Sequence, residues 1–327
     1  MVRFLTTRGH EYTAKKLADQ EMAGARVPPC AVENYDRFLR KHEVPCGTYI
    51  FTDIERLTPW ELRVVAEAYS ALAADSRCRI LNDPAKVMTR YELLRNLREE
   101  GINDFDVIRA DERRWPARYP VFLRHEQDHG RPLSTDLLHN REELEAALKK
   151  AQADRMSFRG LLIVGYAAEA FDGPWFRKFN TFRVGNEVFA HHLVVEDSWV
   201  VKYGKEGMKL PEDYKLFEQE FVKANWNADV LRRVFDIAGI EYGRADWGIV
   251  AGKVQIYEIN TNPYVSGDPG TLNPTRCATL AMSTKKLCDS LAALQNGTSD
   301  GVVTLKGKLL EEWRAAKKWY ERADRRP

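Results

Sequence analysis

The sequence is poor in the features that commit a chain to a special environment. Its five cysteines (Cys30, Cys46, Cys78, Cys277 and Cys288) are odd in number, widely spread and without a C-x-x-C pair, so they read as free thiols. No run of about 18 apolar residues is available to cross a bilayer, and the N-terminal MVRFLTTRGHEYTAKK has no apolar core of a secretory signal. A cytosolic chain is therefore expected, and the sequon Asn296-Gly297-Thr298 is an incidental loop. Net charge is nearly lacking too. Fifty basic side chains against 48 acidic ones leave +2, which gives no global attraction to nucleic acid or an anionic membrane. Repeats and low-complexity tracts are missing, as are the phosphate loop G-x-x-x-x-G-K-[ST] and the nucleophile elbow G-x-S-x-G. Their absence removes the commonest ATPase and hydrolase readings.

What is present suits a globular chain of two or three packed subdomains: 327 residues, 44% apolar and 30% charged. Residues 1–45 follow no clear pattern. A strand over 47–52 is followed by Thr58-Pro59-Trp60-Glu61, a capping box with proline at the first helical position, which predicts a helix to about Ala74. A strand over 78–81 ends at Asn82-Asp83-Pro84, and Thr89-Arg90-Tyr91-Glu92 caps a helix closing near Gly101. This alternation is the habit of an α/β domain. Strands over 119–124 and 158–166 bracket a helix capped at Asn140. Residues 175–184 and 187–194 form a hairpin about Gly185-Asn186, from which the sheet turns antiparallel. Helices follow over 227–238, about 276–294, and 308–322. The last places Leu309, Trp313, Ala316 and Tyr320 on one face, for packing on the body of the protein.

Chemistry concentrates in residues 243–263, GRADWGIVAGKVQIYEINTNP. A three-residue turn Ala251-Gly252-Lys253 would pair Val250 with Val254, and so Asp246 with Glu258. By strand alternation Arg244 and Asp246 share a face with Glu258 and Asn260, while Trp247, Ile249, Tyr257 and Ile259 point into a core. Two opposed carboxylates repel unless a cation sits between them. Hard oxygen ligands without histidine or thiol select Mg²⁺ shared with substrate phosphates. Arg244 adds a fixed fork for a phosphoryl or carboxylate oxygen.

R-x-D, about a dozen residues, then E-x-N-x-x-P resembles the ATP-grasp superfamily, which includes D-alanine ligase, glutathione synthetase and ribosomal-protein glutamate ligases. The resemblance spans about residues 80–270, strongest at the hairpin. It implies an ATP-grasp fold of α/β and α+β parts: an N-terminal α/β domain (1–82), a central ATP-clasping subdomain (83–165), and a C-terminal one with terminal helices (166–327). It implies Asp246, Glu258 and Asn260 as magnesium ligands and Arg244 as the catalytic group stabilising the transferring phosphoryl. Lys86 corresponds to the family's phosphate-binding lysine. The linker after the strand 161–166, with Val164, Tyr166 and Glu169, corresponds to the adenine site. Arg177 and Lys178 are further phosphate contacts, and Asn262 lies where the family shapes its acceptor site. Arg124 stands where the family has a lysine, and the loop His125–Pro132 replaces a glycine-rich lid.

That loop contains His125-Glu126-Gln127-Asp128-His129, formally H-E-x-x-H. A zinc site needs a helix there, whereas a strand precedes it and Gly130-Arg131-Pro132 would break one. His191 and His192, on one strand, are expected to point to opposite faces. Trp60, Trp175, Trp199 and Trp226 read as core or subdomain contacts. The expected activity is an ATP- and Mg²⁺-dependent ligase joining a small-molecule carboxylate to an amine through an acyl phosphate. A phosphotransferase and a non-catalytic ATP-binding protein are the alternatives. The oligomeric state is left open, with a homodimer as one option.

Overall fold

In the computed structural model, which describes residues 1–19, 25–127, 132–133, 136–202, 212–265, 273–295 and 300–323, the N-terminal segment forms half of a parallel sheet. The strands are β1 (Val2–Thr6), β2 (Cys30–Asn34), β4 (Thr48–Phe51) and β5 (Arg79–Leu81), and a short β3 (Glu43–Pro45) lies outside that sheet. Short helices α1 (Lys15–Ala18) and α2 (Tyr35–Leu39) precede α3 (Pro59–Ala73), whose Thr58–Glu61 capping box is formed. Strand order is β2-β1-β4-β5, all parallel. The chain leaves β1 toward one side and returns to β4 on the other, so the loops after β1 and β4 diverge. Such a switch point opens a crevice at the carboxyl ends of the strands.

Helix α4 (Arg90–Glu99) is held by the Thr89–Glu92 box. A three-stranded sheet follows, from β6 (Val107–Arg109), β7 (Val121–His125) and β8 (Leu161–Gly165), with α5 (Arg141–Ala153) capped by Asn140. Its order is β6-β8-β7 and both pairings are antiparallel, so antiparallel pairing begins before the point expected from sequence.

The largest sheet, β11-β10-β12-β13, contains β10 (Trp175–Val184), β11 (Glu187–Glu196), β12 (Tyr242–Val250) and β13 (Lys253–Asn260), with β9 (Ala170–Asp172) beside β10. One face buries Phe179, Leu193, Trp247 and Ile256 under α6 (Glu212–Ala224) and α7 (Ala228–Ala238), together with Leu93 and Leu97 of α4. Phe179 and Trp247 stack with centroids 4.4 Å apart. On the opposite face Phe182, Val184 and Tyr242 share a core with Val2, Phe4 and Ile50 of the N-terminal sheet and with Leu287 and Leu291 of α8 (Pro274–Ala293). Only the other end of that face remains available for a cleft.

The terminal segment departs from the expected division at 166–327. Strand β14 (Val302–Thr304) pairs with β3, and α9 (Lys308–Ala323) sends Leu310 and Trp313 into the N-terminal core. The buried face is rotated from the one expected. Ala316 is exposed, whereas Arg314 is buried and donates to the carbonyls of Leu39, Lys41 and Leu305. The side chain of Tyr320 lies outside the described residues, as does Asn296-Gly297-Thr298. All cysteines are free thiols, and no helix among the described residues is long and apolar enough to cross a membrane.

Asn82 holds the two large sheets in register. It is fully buried at φ 64°, a left-handed conformation that asparagine tolerates. Its Nδ2 donates to the carbonyls of Phe51 and Tyr242, and its Oδ1 accepts from the amides of Glu241 and Tyr242, all at 2.8–2.9 Å. Asn82→Ala would leave several buried backbone groups unpaired. Urea unfolding should show a loss of about 3 kcal/mol or more; a loss under about 1 kcal/mol would mean that these bonds do not couple the sheets.

Candidate functional site

The hairpin of β12 and β13 reaches the expected facing pairs by another route. Its turn has two residues, Ala251 and Gly252, both at positive φ (48° and 77°), and pairs Val250 with Lys253 rather than Val254. That register alone would set Asp246 opposite Tyr257. A bulge intervenes, and beyond it Asp246 pairs with Glu258 and Arg244 with Asn260. The bulge also overturns the expectation for Tyr257. Ile256 enters the core in its place, while Tyr257 lines the cleft with Glu258 and its Oη donates to the carbonyl of Ala167 at 2.9 Å.

Five cations surround the two carboxylates. Asp246 meets Lys178 Nζ at 2.7 Å and Arg244 Nε at 3.6 Å; Glu258 meets Arg90, Arg124 at 3.7 Å and Lys202 at 3.8 Å. Lys178, Asp246 and Glu258 are each buried. Burial opposes the charge on Asp246, but Lys178, Arg244 and Lys202 outweigh it and hold the carboxyl below its usual range. Burial, with Lys178 and Arg124 adding to it, pushes Lys202 down to about 7. Among the described residues the cations outnumber the carboxylates at this pair, an arrangement that favours an anionic ligand.

Asp246 Oδ1 is buried without a hydrogen-bond donor, and Asn260 lies along the same face. Two carboxylates and an amide oxygen fit a hard divalent cation that takes its remaining ligands from phosphate and water. No third histidine, cysteine or acidic residue joins them among the described residues.

Beside the charged cluster runs an apolar slot. Leu94, Phe105, Phe122, Val164, Tyr166, Trp199, Ile249 and Tyr257 line one end, and Arg124, Lys178 and Lys202 the other. Trp199 packs edge-on to Tyr166 and at 4.8 Å from Phe122. This is the shape for a planar apolar head on a polyanionic tail.

The structure gathers Arg124, Val164, Tyr166, Lys178, Arg244, Asp246, Glu258 and Asn260 around this slot and the acidic pair. Other expected residues go elsewhere. Lys86 is exposed and paired with Asp83 at 3.2 Å, and its backbone lies against Gly239. Arg90, the first residue of α4, reaches Glu258 in its stead. Arg177 borders the slot, but alternation turns its guanidinium onto the rings of Phe171, Phe179 and Phe217, away from Lys178. Glu169 also borders the slot, with its carboxylate accepting from the amide of Ala251 at 2.6 Å. Asn262 has no free amide for a substrate: Nδ2 donates to Thr6 Oγ1 at 2.9 Å and Oδ1 accepts from Thr13 Oγ1 at 2.6 Å.

Sequence reasoning missed Arg90, Lys202 and Trp199. Arg90 sits inside the capping box that identifies α4, and Trp199 and Lys202 follow a strand end without any motif. His125 ends β7, while Asp128–Arg131 lie outside the described residues, as does the glycine-rich stretch over 266–272. His191 and His192 do not point apart. A bulge skips His191, so both rings come to one face with Nδ1 atoms 2.5 Å apart. Burial and then Arg244 push His191 down to about 3; burial, the neighbouring imidazole and Arg244 hold His192 well below its usual range.

No protein-family model and no curated protein matches the sequence. Solved structures do match along nearly the whole chain. A D-alanine–D-alanine ligase from Bacillus anthracis, complexed with ATP, is 11% identical with a TM-score of 0.50, over 97% of this chain and 99% of that one. The D-alanine–D-alanine ligase from Coxiella burnetii is 12% identical, again with a TM-score of 0.50, over 98% and 99% of the two chains. The likeness is one of fold: the chain has the ATP-grasp fold, α/β at its N-terminus and α+β beyond.

Gly248 lies where the bulge brings Tyr257 across β12, and a Cβ there would overlap the Tyr257 hydroxyl. Gly248→Ala should destabilise the protein by about 1–3 kcal/mol. In a Tyr257→Ala background the same change should cost less than about 0.5 kcal/mol. Thermal unfolding of the four proteins of this cycle checks both, and equal costs in the two backgrounds would rule the contact out.

Proposed function

We propose that the protein is an ATP-dependent ligase that activates a small-molecule carboxylate and joins it to an amine. The observation that carries the reading is the pairing of Asp246 with Glu258 inside a surplus of cations, at the mouth of an apolar slot open to a planar ring. The fold shared with the two ligases supports it.

In this reading Asp246, Glu258 and Asn260 hold magnesium, which would neutralise phosphate charge and align the γ-phosphate. Trp199, Tyr166 and Tyr257 form the walls for adenine, and the linker over 166–169 borders its edge. Lys178, Lys202 and Arg124 present positive charge to the phosphates. Among the described residues they pair with Asp246 and Glu258, so nucleotide and metal would replace these ion pairs rather than leave charges bare. Arg244 stands beyond Asp246 with a buried Nε that makes no hydrogen bond. It is placed to stabilise the phosphoryl group as the carboxylate attacks, and later the oxygen of the acyl phosphate. The chain mainly supplies charge stabilisation and position.

Incubation with Mg-ATP, pooled amino acids and small carboxylic acids should yield ADP, free phosphate and a condensed product by mass. A phosphorylated product without free phosphate would replace the ligase by a phosphotransferase. Arg244→Ala should keep ATP affinity within a fewfold while turnover falls by about 10²-fold or more. Unchanged turnover would remove Arg244 from the chemistry.

A further inference from the structure

The loops that diverge after β1 and β4 meet in a polar cluster that the ligase reading leaves unused. Asp53 is buried and sits at φ 59°. A non-glycine residue in that region is uncommon, and such strain gathers at functional sites. Its Oδ1 accepts from Arg56 Nε at 2.8 Å. Its Oδ2 faces the other loop, with Thr7 Oγ1 and His10 Nδ1 beside it, the latter at 2.8 Å. A carboxylate only accepts, so the proton of a neutral His10 belongs on Nδ1 and Nε2 carries the lone pair. Nε2 makes no hydrogen bond to any described residue, and the side chain is 31% exposed.

The loop that carries His10 touches the hairpin of β12 and β13. The carbonyl of His10 accepts from Asn262 Nδ2 at 3.4 Å, and the Asn262 amide donates to Asn260 Oδ1 at 2.8 Å. Next to His10, Tyr12 lies 6.4 Å from the ring of Tyr264, whose carbonyl accepts from Arg244 at 3.4 Å. The backbone of His10 thus borders the end of the hairpin that carries Arg244 and Asn260, at the switch point of the parallel sheet.

We propose that His10 is the general base for the incoming amine and that Asp53 is its positioning residue; the proposal rests on the ligase reading. An aliphatic amine is mostly protonated at neutral pH and then has no lone pair to attack with. Arg90, Lys178 and Lys202 face the carboxylates of Asp246 and Glu258, and the imidazoles of His191 and His192 face each other. His10 Nε2 takes one proton from the ammonium group. The freed nitrogen forms the C–N bond at the acyl carbon, the C–O bond to phosphate breaks, and the second proton leaves with phosphate. His10 then releases its proton to solvent.

The test uses the whole protein with Mg-ATP and pooled amino acids, with hydroxylamine added as a competing nucleophile that is unprotonated at neutral pH. The amide-to-hydroxamate ratio is read by mass. His10→Gln should lower that ratio by about 10²-fold or more, and Asp53→Asn should lower it by a smaller factor. His10→Asn, read in the same way, serves if the glutamine variant does not fold. A ratio equal to that of the unaltered protein, whether both products persist or fall together, overturns the role of His10. No hydroxamate from the unaltered protein overturns the ligase reading, and the proposal with it.

Discussion

One extra residue in β13 sets the register on which the site depends. The tight turn at Ala251-Gly252 alone would place Tyr257 opposite Asp246 and turn Glu258 toward the hydrophobic core. A carboxylate buried there without a partner would cost several kcal/mol. The bulge restores the facing of Asp246 and Glu258 and keeps Ile256 in the core beside Trp247. It also places Tyr257 as a wall of the slot. Shape and charge at the site therefore share one backbone irregularity.

The opposed carboxylates would in turn repel each other, and the fold answers with cations from four separate segments: Arg90 from α4, Arg124 from β7, Lys178 from β10, and Lys202 beyond β11. Buried ion pairs add little net stability because desolvation offsets attraction. Their value here is in holding positive charge beside a hard-oxygen pair at little cost. The downward push on Lys202 reflects that crowding, since burial, Lys178 and Arg124 all disfavour its charge. A polyanion entering the slot would reverse the balance.

Local patterns made much of this legible in the sequence. The threonine boxes at Thr58 and Thr89 and glycine at position 239 set helix ends near where they lie. R-x-D and E-x-N indicated the facing pairs because alternation acts over a few residues. What escaped depends on long-range packing. Strand β1 is buried on both faces, so its residues carry no polar–apolar alternation. The bulges at Tyr257 and His191 reverse a face with no compositional mark. Lys86 and Arg90 are both basic residues near one helix start, and local sequence does not distinguish Arg90, which pairs with Glu258, from Lys86, which stays outside with Asp83.

Asn262 illustrates why position in a motif does not settle a role. Its place after Asn260 suggests a substrate contact, yet every polar atom of its side chain is engaged by Thr6, Thr13 and the carbonyl of His10. Those bonds fasten the end of the β12–β13 hairpin to the carboxyl end of β1, while Asn82 fastens its start, at Tyr242, to the end of β4. With both ends tied, β12 and β13 cannot slide relative to the N-terminal sheet without breaking buried hydrogen bonds. The distance from Arg244 to the crevice between the β1 and β4 loops is thereby fixed by the fold rather than by a bound molecule. Reaction between two bound substrates requires that kind of fixed separation, because a displacement of about 1 Å can cost about 10²-fold in rate.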